Sequence, residues 1–172
     1  MNYKIDAMEI LLQEDCILQR YHALIPYKTA LIHGLQQNGC LSRDECAGLP
    51  DESLLKIGLP NLEMVRLFRN FLVMYDVPPQ KMREADKISG SEEERDSFRE
   101  LYLLPGVRAV RAKLYYAAGY KYLRPIADAS PGQIISDTAE VIRQQDPELK
   151  VPLLKEAKTH VAVAKVYTYY KA

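Results

Sequence analysis

Between Val107 and Ala118 the chain carries no helix breaker, and a glycine stands on either side, at Gly106 and Gly119. Leu104-Pro105-Gly106-Val107 therefore predicts the close of one helix, a tight turn and the start of a second. Glycine takes φ > 0 at such a turn without steric cost, and Pro105 sets the chain direction just before it. Gly119 suits a C-terminal cap. A hairpin of this kind turns unpaired backbone N–H groups outward at a helix N-terminus, where they can hold a phosphate.

The remaining segments are helical in pattern too. Ile5, Met8, Leu11, Leu12 and Leu18 give Met1–His22 a helical rather than a strand spacing. Pro26 opens a segment, Tyr27 to Asn38, with Ala30, Leu31 and Leu35 on one side and Gly39 at its end. Ser42 with Glu45 fits a capping box ahead of a short helix, Arg43 to Ala47. Pro50 starts another short helix through Ile57, stopped by Gly58, and Pro60 to Tyr75 has a broad apolar face. Residues 80–97 are polar and charged around Gly90 and read as a linker, with Ser91 and Glu94 as the alternative cap of a helix running to Leu104. Lys121 to Ala129 follows the hairpin. Ser130-Pro131-Gly132-Gln133 then combines an N-cap serine, a first-position proline and a third-position glutamine, a strong helix start. Asp146-Pro147 ends that helix. Pro152 to Ala172 reads as a last helix, its β-branched residues leaving a strand as the alternative.

Shifting the chain by 80 residues lays one half on the other without a gap. Gly39 falls on Gly119, Ala47 on Ala127, Leu24 on Leu104, and Leu54 on Ile134. Two copies of one small helical unit would each bury little core alone and gain by packing together. The expected division is 1–88 and 91–172, as two units or as one compact body.

Around the hairpin, Arg108, Arg111, Lys113, Lys121 and Arg124 fall in a stretch, Leu101 to Ala127, without an acidic side chain. Tyr115, Tyr116, Tyr120 and Tyr122 are interleaved with them. Cations on phosphates give sequence-independent affinity and exposed tyrosines stack on unpaired bases. The alternative is that the tyrosines fill an inter-helix core and the cations form its wet rim. Residues 1–100 carry 12 Lys and Arg against 17 Asp and Glu, and residues 101–172 carry 11 against 6, within a net charge of zero. That polarity either steers an acidic partner to the second half or holds the two halves together.

At 172 residues, 48% hydrophobic and 27% charged, the chain has the composition of an ordinary soluble protein of one domain or two small ones. No apolar run is long enough to span a bilayer, and the first residues lack the basic-then-apolar pattern of a secretory signal. A cytoplasmic protein without membrane contact is the expectation. Cys16, Cys40 and Cys46 form no CxxC pair, and Cys40, Cys46 and His33 lack a fourth ligand at metal-binding spacing. No metal, cofactor or small-molecule substrate is expected. Nucleophile elbow, Walker loop, dinucleotide fingerprint and paired-histidine zinc motif are all absent, and the lone His160 reads as structural. The chain is expected not to be an enzyme.

Leu104-Pro105-Gly106-Val107-x-x-x-x-Ala112 resembles the helix-hairpin-helix motif. Its continuation, Ala118-Gly119-Tyr120 with Leu123, Ile126, Ala127 and Ser130-Pro131, is similar to tandem helix-hairpin-helix (SAM-like) modules. These occur in DNA repair and recombination proteins and in a bacterial family of small uncharacterised proteins. The likeness is specific over residues 102–135 and fainter over 24–59. It implies an all-α fold of two such repeats packed together. It further implies binding of the DNA backbone through Gly106, Val107, Arg108, Arg111, Lys113, Lys121 and Arg124, or, as the alternative, a protein–protein interaction module of SAM-like type. The familiar DNA-binding turn has two glycines, and here the second position is Arg108. In the first copy Pro26 and Lys28 stand where Gly106 and Arg108 do, so that hairpin is expected to be degenerate. Glycosylases with this hairpin carry a catalytic aspartate further along the chain, and Asp128 lies 22 residues after Gly106. The lysine of bifunctional members is replaced by Val110, however, and Asp128 sits in a turn that commonly takes aspartate.

Overall fold

The computed structural model describes residues 1–172, and all of its regular elements are helical. The chain divides into two units. The first holds Met1–Asp76 with the C-terminal Tyr169–Ala172, and the second holds Val77–Thr168.

In the first unit, a turn of 3-10 helix at Ile5–Ala7 leads into α1 (Met8–Leu11). A 3-10 stretch, Gln19–Tyr27, then runs into α2 (Lys28–Gln37), followed by α3 (Arg43–Ala47), α4 (Asp51–Ile57) and α5 (Leu62–Val73). The helical spacing expected over Met1–His22 is met by short pieces rather than one continuous helix. Gln13 O accepts from both Cys16 N and Ile17 N at 3.0 Å, which turns the chain after α1. Ile5, Met8, Leu11 and Leu12 are all buried, but through two short helical pieces. The capping box at Ser42 and Glu45 is present as expected. Tyr21 meets Phe71 edge-on with centroids 6.1 Å apart, at the heart of this unit's core. The chain's last residues pair with its first: Lys4 N donates to Tyr170 O at 2.8 Å, and the Met1 ammonium lies 2.6 Å from Asp76.

The second unit contains α6 (Pro79–Ile88), α7 (Glu92–Leu101), α8 (Ala109–Ala117), α9 (Leu123–Asp128), α10 (Pro131–Gln145) and α11 (Leu154–Tyr169), the last residue of α11 belonging to the first unit. The first part of the stretch expected as linker, residues 80–97, forms α6. Pro79 at its first position needs no N–H partner, and Lys81 and Ala85 are buried on one face. Polar composition concealed that face because one of its two buried residues is a lysine. Ser91 caps α7 and Ser130 caps α10, each accepting from the amide three residues on at 3.1 Å. The last segment is helix, not strand, with Val161, Ala162, Val163, Ala164 and Val166 buried.

Helices α2 and α8 end alike. Gly39 and Gly119 take φ of +77° and +90°. Gly39 N donates to Gln36 O and Cys40 N to Leu35 O, while Gly119 N donates to Tyr116 O and Tyr120 N to Tyr115 O. This pair of bonds is the Schellman closure, which satisfies carbonyls that the helix end leaves free. No helix is long and apolar enough to cross a membrane.

Candidate binding surface at the second hairpin

The turn between α7 and α8 has the form that its residues dictate. Pro105 and Gly106 occupy its centre, Gly106 at φ +70°, and Val107 N donates back to Leu104 O at 3.3 Å, the pattern of a type II turn. Helix α8 starts at Ala109, two residues later than the breaker-free stretch suggests, because Arg108 is extended and serves as its N-cap without a side-chain bond. A Cβ placed on Gly106 would meet nothing within 4 Å.

Two buried side chains hold this turn from within the unit. Lys81 Nζ donates to Leu104 O at 2.7 Å, and His160 Nε2 donates to Pro105 O at 2.8 Å. A carbonyl only accepts, so Nε2 carries the His160 proton, and Nδ1 accepts from Tyr115 Oη at 2.6 Å. Burial keeps the imidazole below its ordinary pKa against the opposing pull of the Pro105 bond, with Glu156 raising it and Arg111 and Lys81 lowering it further. Burial also draws the Lys81 ammonium down from 10.5 to about 8, helped by nearby Arg108. The sequence marked His160 as structural but gave no sign of its partners. Lys81 could not be found there at all, since a lysine in a charged segment reads as solvated.

Each cation proposed for phosphate contact has a definite place. Arg108 pairs with Glu84 of α6. Arg111 grips Glu156 of α11 through two bonds of 2.8 and 3.1 Å and reaches Lys150 O at 2.9 Å. Lys121 lies 2.7 Å from Glu93 and over the Tyr116 ring. Arg124 faces Asp128, one turn along α9, at 4.0 Å. Lys113 is exposed on α8 with no carboxylate against it. Of the two uncharged residues in the set, Gly106 is exposed and Val107 is fully buried. The residues thus share one hairpin region, but four of the five cations are already matched.

The tyrosines divide in the same way. Tyr115 is fully buried, and Tyr120 is nearly so, its hydroxyl donating to Asp137 at 2.6 Å. Burial raises the pKa of both phenols, and Asp137 adds to it at Tyr120. Tyr116 packs edge-on against Phe98, while Tyr122 keeps a face in solvent. Local charge is correspondingly modest. Val77–Thr168 carries 15 Lys and Arg against 13 Asp and Glu, a net +2, because the acidic α6 and α7 belong to the same unit as the basic hairpin.

Beside Lys113 the structure opens an apolar groove of about 210 Å³ between α8 and α10. Val110, Leu114, Ala117, Val141 and Leu149 line it, with Gln145 and Asp146 at the edge. Elsewhere, Cys40 and Cys46 are buried free thiols, and burial pushes the Cys46 thiol up to about 12, so it stays protonated. Searches for related proteins returned no match to any family model, curated protein or solved structure.

Proposed function

We propose that the chain is a non-catalytic helical binding module whose ligand is another protein. The observation that carries this reading is the pairing of the hairpin cations. Arg108, Arg111, Lys121 and Arg124 each face a carboxylate of their own unit, and Lys113, the fifth, stands beside an apolar groove. A nucleic-acid backbone gains its affinity by placing phosphates on free cations, and here a phosphate would compete with a carboxylate at four of the five, weakly at the exposed pairs and most strongly at Arg111, whose two bonds to Glu156 are part-buried. An apolar face needs no such exchange. The buried polar groups Lys81, His160 and Tyr115 are engaged in holding the turn, which suits a scaffold rather than a reaction centre.

A tandem of two helix-hairpin-helix-like units belongs to the same reading. Its support is the spacing of elements: α3 and α4 begin at Arg43 and Asp51, α9 and α10 at Leu123 and Pro131, each 80 residues on. The matched Schellman closures at Gly39 and Gly119 add to it.

A second reading, binding of the DNA backbone at the hairpin, is favoured by the open space at Gly106 next to the uncapped N-terminus of α8. Titration of labelled single- and double-stranded DNA with the full chain, at low and at moderate salt, separates the two. The protein-module reading expects no salt-dependent binding. Binding that weakens steeply with salt, and that disappears on Arg108→Glu with Arg111→Glu, overturns it in favour of DNA.

A further inference from the structure

In the first unit, the 3-10 stretch Gln19–Tyr27 and α5 enclose a pocket of about 360 Å³. That volume lies within the range of about 300–1,000 Å³ typical of small-molecule sites. Leu67, Val73 and Met74 supply its apolar walls, and Arg20, Tyr21 and Asn70 its polar groups. Tyr21 is only 2% exposed, yet its hydroxyl makes no hydrogen bond within the protein. Nor is that hydroxyl sealed off, because the one sealed side-chain atom without a partner is His22 Nε2. A buried hydroxyl without a partner is destabilising, and one that lines a pocket is satisfied by what enters it. Arg20 lies over the Tyr21 ring, its Cζ 4.8 Å from the centroid. That contact holds the cation in place without consuming its N–H donors. No carboxylate pairs with it, and the Asn70 carboxamide is unbonded as well.

The lining selects the ligand by charge and by polarity. Arg20 is its single charged residue, and no acidic side chain is present to compete for it. A guanidinium matches a carboxylate through two parallel bonds, and the phenol and carboxamide donate to the same group. A bare inorganic anion would leave the apolar walls unused. We infer that this pocket binds a small organic acid, its carboxylate on Arg20, Tyr21 and Asn70 and its apolar body on Leu67, Val73 and Met74. The site lies away from the second hairpin in the chain and stands independently of the partner-protein reading.

The test is titration of the full, isotope-labelled chain with octanoate, hydrocinnamate and indoleacetate, read by amide chemical shifts. At least one should saturate, with shifts concentrated in residues 19–21 and 67–74. Its neutral amide should bind about tenfold more weakly, since the charge-assisted bonds are lost. Arg20→Gln should weaken the acid about tenfold and the amide little, a split that a merely structural role does not produce. Tyr21→Phe keeps the ring against Phe71 and should weaken the acid about threefold. Val73→Asp, at a half-exposed position on the apolar side, should weaken it about tenfold. An unchanged helical circular dichroism spectrum certifies each variant's fold. No saturable shift from any of the three acids up to about 1 mM, or equal affinity for acid and amide, overturns the site. Affinity unchanged by Arg20→Gln, or shifts that saturate elsewhere on the chain, overturns it too. Inorganic phosphate binding as tightly as the best acid overturns the class of ligand, because the apolar walls then contribute nothing.

Discussion

The helix pair α2 with α4 and the pair α8 with α10 lie 80 residues apart in the chain and finish with different surfaces. Gly34 of α2 leaves room for Ile57 of α4: a Cβ there would come within 2.4 Å of Ile57 Cγ2. Eighty residues further on in the sequence, α8 carries Leu114, whose side chain lines the open groove with Val141 of α10. Where a glycine lets one helix settle on the other, the apolar surface is consumed within the unit. Where a leucine stands, part of it remains on offer. The entrances differ too. Pro26 lies inside a 3-10 stretch that runs directly into α2, while Pro105-Gly106 makes a sharp turn whose carbonyls are tied down by Lys81 and His160. The two pairs thus differ in packing: one is closed by a close approach at Gly34, and the other keeps an open apolar groove.

The sharpest way to break this comparison is at Gly34. Gly34→Ala pushes a methyl group against the β-branch of Ile57, which has no flexible end to swing away, and should destabilise the first unit by about 2 kcal/mol. Peptide-resolved native-state hydrogen exchange would read the loss in α2 and α4, and Ile57→Ala in the same chain should recover part of it. If Gly34→Ala is neutral, close approach is not what distinguishes the two pairs.

The next effect belongs to the second hairpin alone. Lys81 is held near a pKa of about 8 in the folded chain against 10.5 unfolded. Between those values the unfolded state binds the extra proton, so this contribution to stability rises with pH from about 8 to 10.5 and is smallest below 8. Lys81→Met removes the buried charge, while Leu104 O keeps its bond from Val107 N. The variant should gain on the wild type by on the order of 2 kcal/mol at pH 7, with the gap closing by pH 10. Denaturant melts of both chains across that range measure it. A slope that Lys81→Met leaves untouched would assign the effect to another group.

His160 acts at the acid end. Its folded pKa is depressed below 6.5, so its contribution is fully present above that pH and is lost as pH falls from 6.5 towards the folded value. His160→Gln keeps a donor for Pro105 O and an acceptor for Tyr115, and should remove a slope of up to about 1.4 kcal/mol per pH unit. Exchange protection lost on acidification should concentrate in α8 and α11. Equal loss in α2 and α4 would mean that the first hairpin has an acid-sensitive anchor of its own.

Local signals in the sequence survived folding because their partners lie within a few residues. Ser42 with Glu45, and Ser130-Pro131 with Gln133, needed nothing from afar, nor did Gly39 and Gly119. Residues 1–22 were less legible, since the spacing of Ile5, Met8 and Leu11 is satisfied equally by one helix or by two short pieces with a turn at Gln13. Residues 80–88 have the composition of a linker because the hydrogen-bond partner of buried Lys81 is a carbonyl 23 residues away. At the candidate surface the basic residues and the hairpin were legible. Their carboxylates were not: Glu84, Glu93 and Glu156 lie 24, 28 and 45 residues from their partners, and no short window contains both members of a pair. The charge contrast between residues 1–100 and 101–172 does not follow the structure either, because the acidic α6 and α7 share a unit with the basic hairpin.

The smallest expected effect bears most directly on what the second hairpin is for. Gly106 at φ +70° and Gly39 at φ +77° are both left-handed, and in neither place would a Cβ touch the protein. Gly106→Ala and Gly39→Ala should therefore each cost about 1 kcal/mol, the backbone penalty of an L-residue in that region and nothing more. Matching losses in thermal or denaturant melts would make the two glycines structurally alike. Ligand binding then separates them. A phosphate approaching the α8 N-terminus would meet the new methyl group at position 106, so the DNA reading expects Gly106→Ala to weaken binding while Gly39→Ala does not.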